Sequence, residues 1–200
     1  MTEQSLTYLE TLNQAIAAIQ SGTGDHPAST AMVAALLSAE KAAKQQRLTY
    51  ALPTLMGKWQ LCFTATRGAH QRSGQVQGRG WYWPSLVPAM ISFQPVDTSD
   101  RPIDGTIENQ IQLGPVCLQL KGLFKYPGKK NLLAFDFTQA RLSVSGKTLY
   151  DREFRGGTTK AQHFAEQTVA TLPFFAFFLV TEDYIAARGR AGGLALWRRR

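Results

Sequence analysis

The sequence predicts a mainly β chain, an antiparallel barrel or sandwich preceded by an N-terminal helical hairpin, and three observations carry that prediction. Apolar residues recur every three or four positions before residue 50 and every second position after it. Seventeen glycines and nine prolines punctuate the period-two runs as turn signals. A chain of 200 residues, 44% hydrophobic, can bury one core without metal or disulfide staples, and its 18% charged content argues against a coiled coil or a disordered acidic chain.

The elements follow in order. Leu6, Leu9, Leu12, Ile16 and Ile19 form one helical stripe, and Met32, Val33, Leu36 and Leu37 a second amid alanines. Between them Gly22 and Gly24 stop the first helix and Pro27 bars its continuation and announces the next. An antiparallel hairpin over residues 1–52 results. From residue 53 to 200 the period is two: Trp59, Leu61 and Phe63, then Ile91 and Phe93, Ile107 and Ile111, Leu118 and Leu120, and Leu133, Phe135 and Phe137. Asp97 to Asp104, Gly114-Pro115, Pro127-Gly128, Ser145-Gly146 and Gly156-Gly157 separate these runs, and two last strands flank residues 188–193. Seven or eight such strands close into a barrel or pack as a sandwich, and periodicity alone does not separate the two. Residues 67–88 and 151–173 are too long for hairpin turns and are natural places for function.

Charge is placed unevenly. Residues 1–50 hold four acids and three bases, leaving ten acids and nineteen bases of the 14 and 22 in the chain for the remainder. The strongly apolar stretch 172–180 has nine residues and contains Pro173, against about 20 for a transmembrane helix. Glu3 and Glu10 stand where a signal or transit peptide would be basic and apolar, so the chain reads as intracellular. Cys62 and Cys117 are two lone thiols, expected reduced.

Catalytic and metal-binding patterns are sparse. His26, His70 and His163 lie far apart without a cysteine or second histidine at ligand spacing, and Asp97, Asp100 and Asp104 lack the glycine and terminal glutamate of a calcium loop, so no metal and no cofactor are expected. Residues 155–160 lack the order of a phosphate loop, no Gly-x-Ser-x-Gly elbow occurs, and Glu182 and Asp183 are adjacent and point apart. One constellation stands out: Arg67, His70, Arg72 and Arg79 lead into Trp81-Tyr82-Trp83-Pro84, and Arg198-Arg199-Arg200 ends the sequence. Arg79, Trp81, Tyr82 and Trp83 have the composition of a contact with an anionic membrane interface, and equally of a lid folded over a barrel end.

Gly57-Lys58-Trp59 at the first strand, with a late Arg188-Gly189 before a glycine turn, resembles the Gly-x-Trp and distant arginine of lipocalin-type barrels. Leu55-x-Gly57-x-Trp59-x-Leu61-x-Phe63-Thr64, Ile107-Glu108-Asn109-x-Ile111-x-Leu113-Gly114-Pro115, Phe135-Asp136-Phe137 and Leu179-x-x-Glu182-Asp183-Tyr184-Ile185-x-x-Arg188-Gly189 extend the match. Together they are similar to the plastid lipid-associated proteins, also called fibrillins or plastoglobulins. The resemblance implies a lipocalin-like barrel and a non-enzymatic binder or organiser of apolar lipids (prenylquinone, carotenoid or acyl lipid) in plastids or the cyanobacterial cytoplasm, peripheral to thylakoids or lipid globules. Where that family reads Arg-Gly-Asp-Gly-Gly, this chain has Arg188-Gly189-Arg190-Ala191-Gly192-Gly193, so a role for the aspartate does not carry over.

The residues themselves suggest roles. Trp59 can plug one barrel end under a cation–π contact from Arg188, with Gly57 and Gly189 as the turns beside them. Leu61, Phe63, Ile91, Phe93, Ile111, Leu118, Leu120, Leu133, Phe135, Phe137 and Phe178 would line the interior, and an unfilled interior would take an apolar lipid. Two competing readings stay open: an enzyme or chromophore-attaching factor on a hydrophobic ligand, with Arg141 the inward polar candidate if it shares the face of Phe135 and Phe137, and a basic nucleic-acid-binding barrel. No specific nucleic acid is expected.

Overall fold

A computed structural model describes residues 3–72, 75–96, 103–128, 130–153 and 164–200. Helices α1 (Glu3–Ser21) and α2 (Ser29–Gln46) form the hairpin, and one short turn of helix, α3 (Leu52–Leu55), leads into the sheet. The strands are β1 (Gly57–Ala65), β2 (His70–Arg72), β3 (Gln75–Gln77), β4 (Gly80–Tyr82), β5 (Ala89–Pro95), β6 (Gly105–Leu113), β7 (Val116–Lys125), β8 (Leu132–Val144), β9 (Lys147–Glu153), β10 (Phe174–Val180), β11 (Tyr184–Gly189) and β12 (Leu194–Arg199).

Eight strands close into an antiparallel barrel in the order β10-β11-β12-β1-β5-β6-β7-β8, with β10 pairing back onto β8 from Phe174↔Ala134 to Ala176↔Leu132. The barrel, not the sandwich, is the architecture. The residues 67–88 form more structure than a loop: β2 and β3 make a small ribbon, and β4 lies on the upper part of β1. Beyond its closure with β10, β8 runs on beside β6, β7 and β9, so one wall of the barrel projects past the others.

Two cores result. Inside the barrel pack Trp59, Ile91, Phe93, Ile107, Phe124, Leu133, Phe135, Phe177, Ile185 and Trp197. Outside it, Leu12, Ile16, Met32, Val33 and Leu36 of the hairpin pack onto Cys62, Phe63, Phe178, Leu179, Tyr184, Ala186, Leu194 and Leu196 of the wall. Small residues on α2, among them Ala35, Ala39 and Ala43, let it approach the sheet closely. At Gly80 a side chain would stand 2.3 Å from the Phe63 ring and 2.8 Å from Val33, so only glycine lets β4 pass between strand and helix.

Phe63 and Phe178, both expected inside, are thus placed outside the barrel. For Phe63 the cause is a β-bulge that breaks the alternation after Leu61; Phe178 is outside by ordinary alternation from the inward Phe177, and the bulge in its strand turns Leu179 outward too. The register of β1 against β12 shifts between Leu61 and Phe63, and that of β10 against β11 between Phe177 and Leu179. One extra residue turns the remainder of a strand to its other face. Leu61 and Phe177 look inward while Phe63, Phe178 and Leu179 meet the helices.

The hairpin is tied to the barrel by its linker. Arg47 closes α2 in the left-handed region at φ 51°. The Asn131 side chain then donates to Leu48 O and accepts from Tyr50 N, while Tyr126 Oη donates to Tyr50 O at 2.9 Å. Burial raises the Tyr126 phenol to about 12, which keeps it a donor. On the opposite flank Lys125, buried with Nζ on Ala165 O and Gln167 O, holds the residues after 164 against the wall.

Candidate functional site: the open end of the barrel

The two ends of the barrel differ in chemistry. At the end where β1 begins, Trp59 is fully buried and donates Nε1 to Leu55 O at 2.8 Å. The guanidinium that covers its ring belongs to Arg199, 4.0 Å from the ring centre, and not to Arg188. Arg199 also donates to Thr54 O, Met56 O and Glu182 O, so it staples α3, β12 and the β10–β11 turn over the tryptophan. Gly57, at φ 111°, begins β1 in a conformation that favours glycine, with Arg199 Nη1 3.0 Å from where a Cβ would stand. The end is shut.

Arg188 looks outward from β11. Its Nε and Nη2 grip Glu40 of α2 at 2.9 and 2.6 Å, Nη1 donates to Gly192 O and Nη2 to Ala69 O. Sequence spacing could not pair Arg188 with Glu40, because 148 residues and a bulged wall separate them. Burial by itself would raise the Glu40 carboxyl, but hydrogen bonds from Arg188 and Lys44 outweigh it and hold the group below the ordinary glutamate value.

The lower interior is filled. Phe135 stacks on Phe175 with centroids 5.0 Å apart, Phe175 meets Trp197 edge-on at 5.5 Å, and Phe93 meets Phe124 and Phe177. The gap left among Ile91, Phe93, Phe175, Phe177, Ile185 and Trp197 admits no water-sized sphere. Leu61, Ile91, Phe93, Leu133 and Phe135 are therefore packing residues of the barrel core, with Phe137 against its edge.

Space appears above Phe175. Here a groove of about 630 Å³ lies wide open to the exterior. Trp81, Trp83 and Thr64–Arg67 bound one side, and Gly189, Ala191, Gly193, Leu194 and Ala195 bound the other. Trp81 sits across from Thr64 in the β4–β1 pairing, and Trp83 donates Nε1 to Val87 O. Tyr82, between them, points the opposite way: it stacks on His26 at 4.6 Å and donates to Pro27 O, so it belongs to the hairpin contact and not to a membrane face. Gly189 lies on the lining. The Thr64 hydroxyl is buried and has no hydrogen-bond partner among the described residues. Among the described residues, no carboxylate, histidine or thiol lines the cavity, and the Cys62 thiol, on the hairpin side of the wall, is pushed by burial to about 11.

The projecting wall continues the barrel's inner face. The pairings Ile111↔Leu118, Asn109↔Leu120, Leu118↔Leu142 and Val116↔Val144 place Ile111, Leu118, Leu120, Leu142 and Val144 on the face of Ile107 and Phe124. These side chains are only partly covered, and Leu118 is 39% exposed. On the other face Gln119, Lys121, Gln139 and Arg141 are polar. A bulge between Lys121 and Gly122 separates the phase of Arg141 from that of Phe137, and Arg141 pairs with Asp151 at 2.6 Å. It is not an inward group.

Among the described residues, the exposed large apolar side chains other than Leu48, in the linker after α2, are on the strands and turns of this side. Trp81, Leu86, Leu113, Leu118, Leu149 and Tyr150 all lie on β4, on β9, on the projecting wall or in the turns that rim the cavity, and Leu86 is 86% exposed. The rim turns and strand ends add Arg67, Arg79, Lys147 and Arg190 and, among the described residues, hold no acid. Sequence reasoning found Arg79, Trp81 and Trp83. It missed Leu86, Leu113 and Leu149, whose common location depends on how the strands align.

Among the described residues, no group of three His, Cys, Asp or Glu could hold a metal ion, and no helix is long and apolar enough to cross a membrane. His163, Asp97, Asp100 and residues 155–160 lie outside the described residues. The fold and site define a class: a closed eight-stranded antiparallel β-barrel, sealed at one end by a tryptophan and an arginine and open at the other into an apolar mouth. No protein-family model, curated protein or solved structure matches the chain significantly.

Proposed function

We propose that the protein binds or organises an apolar lipid at the open mouth of the barrel, without catalysis, while that end rests on a lipid surface. The observation that carries the reading is the 630 Å³ open groove itself, mostly apolar and floored by Phe175. Its size falls within the range of about 300–1,000 Å³ typical of small-molecule sites. Methyl and aromatic linings reward burial at about 0.8 kcal/mol per CH₂ and accept quinone, carotenoid and acyl lipids alike. The filled core below means that a ligand occupies the mouth and not the depth of the barrel.

The basic rim complements an anionic lipid surface, and the exposed leucines and Trp81 have the character of side chains that enter the headgroup region. This agrees with what the likeness to plastid lipid-associated proteins implies, a place at thylakoid or lipid-globule margins in a plastid or a cyanobacterial cytoplasm. An alkyl benzoquinone titrated against tryptophan fluorescence tests the reading. Saturable quenching that is largely lost in Trp81→Phe/Trp83→Phe supports it, since these indoles border the mouth. Quenching that never saturates, or that the double variant leaves unchanged, overturns it.

A further inference from the structure

The mouth has one wall with almost no side chains of its own. Between β11 and β12 the chain turns through Gly189, Arg190, Ala191, Gly192 and Gly193, and a Cβ on Gly192 would meet nothing closer than Gly68 N at 3.7 Å. Such a turn cannot be fixed by packing. Two arginines hold it instead, from opposite sides. Arg190 donates its backbone N–H to Phe174 O and its guanidinium to Leu172 O and Thr171 O. Arg188 reaches the other way, to Gly192 O within the turn and to Ala69 O in the neighbouring loop, and both of those bonds depend on where its guanidinium is held.

Glu40 holds it. Its side chain is 10% exposed, takes Arg188 in a two-pronged grip, and sits on a helix packed against β4 and β10. Lys44, one turn along α2, donates to the same carboxylate at 2.9 Å but is itself in solvent. Glu40 does not touch the cavity. We infer that Glu40 is a positioning residue for the mouth: through Arg188 it fixes the 189–193 turn and the 66–69 loop to the helical hairpin, and the hairpin thereby sets how far the mouth opens.

The physical basis is rigidity. A planar guanidinium with its prongs on one carboxylate and its remaining donors on two carbonyls has a single orientation, whereas an amide in place of the carboxylate accepts one prong and turns a donor toward the other. The turn then swings on its Arg190 side, over Phe175. The hairpin acts on the third piece of the wall as well, since Tyr82 Oη donates to Pro27 O in the helical loop and β4 carries Trp81. As a statement about lipid access, the inference rests on the mouth being the lipid site; as a statement about the turn, it stands alone.

Hydrogen–deuterium exchange on the full chain tests it, because Gly189, Arg190 and Gly192 each have a bonded amide in the turn. In Glu40→Gln these amides and that of Ala69 exchange roughly tenfold faster or more, while β5, β6 and β7 keep the wild-type pattern. N-phenyl-1-naphthylamine, a neutral apolar fluorophore, dissociates from the variant faster by a similar factor. Arg188→Lys keeps the charge, loses the fork and gives the same local pattern, and it carries the test should Glu40→Gln not fold. Leu36→Ala weakens the hairpin core without touching the grip, and raises exchange through α1, α2 and the adjoining wall together. The inference is overturned if Glu40→Gln reproduces that broad pattern or leaves the turn unchanged. Failure of the wild type to bind the fluorophore would remove the lipid reading and leave the exchange result to decide the role of Glu40.

Discussion

The seal at the closed end can be weighed with a double-mutant cycle. The Arg199 guanidinium lies 4.0 Å from the centre of the Trp59 ring, whose inner side is fully buried while Arg199 faces solvent. Cation–π contacts contribute about 0.5–1 kcal/mol at exposed sites and about 2 kcal/mol when desolvated, so a half-desolvated contact couples the pair by about 1 kcal/mol. Singly, Trp59→Leu loses ring contacts and the bond to Leu55 O, about 2–4 kcal/mol. Arg199→Ala loses three bonds to backbone carbonyls, about 2 kcal/mol in all. Urea unfolding of the four species, followed by far-ultraviolet circular dichroism so that the lost fluorophore does not matter, resolves couplings above about 0.5 kcal/mol. The second cycle, Trp59→Leu with Arg188→Ala, is the control. Arg188→Ala alone costs about 3 kcal/mol by stranding the buried Glu40, yet its effect adds to that of Trp59→Leu, because the two residues face different cores. A coupling that is absent for Arg199 and present for Arg188 would refute the geometry.

Three further outcomes are expected. In flotation with anionic vesicles the wild type rises with the lipid and detaches as salt increases, and Trp81→Ser/Leu86→Ser/Leu149→Ser stays behind at equal stability; equal flotation would place the contact elsewhere. Thr64→Val removes a buried hydroxyl that has no partner among the described residues, so stability holds or rises by up to about 1 kcal/mol, while a carbonyl-bearing lipid loses affinity relative to a pure hydrocarbon. The carboxyl of Glu40 is depressed below 4.5, so the stability it lends is complete above that pH and is lost as pH falls through the folded value; Glu40→Gln flattens that part of a pH titration of the unfolding midpoint, and an unchanged slope would contradict it.

What was legible in the sequence depends on neighbours along the chain. The helices α1 and α2, the strands from β1 onward and the turns at Gly114-Pro115, Pro127-Gly128 and Ser145-Gly146 are local properties, and they appear where spacing put them. The tryptophan plug was legible too, since Gly57-x-Trp59 opens the first strand. Its cover was not: Arg199 and Arg188 are both cations on the last hairpin, and which one reaches the ring depends on strand direction and on the face each occupies. Phe63 and Leu179 show why. A single inserted residue at a bulge reverses every later side chain in a strand, and no local pattern marks the insertion when the residues on both faces are apolar. The candidate site was half legible for the same reason. Trp81 and Trp83 stand together in sequence, whereas Thr64, Phe175 and Gly189 come together only because the sheet closes on itself. Closure is a long-range event, set by the pairing of β10 with β8 across some forty residues, and with it came the division between a filled barrel core and an open mouth.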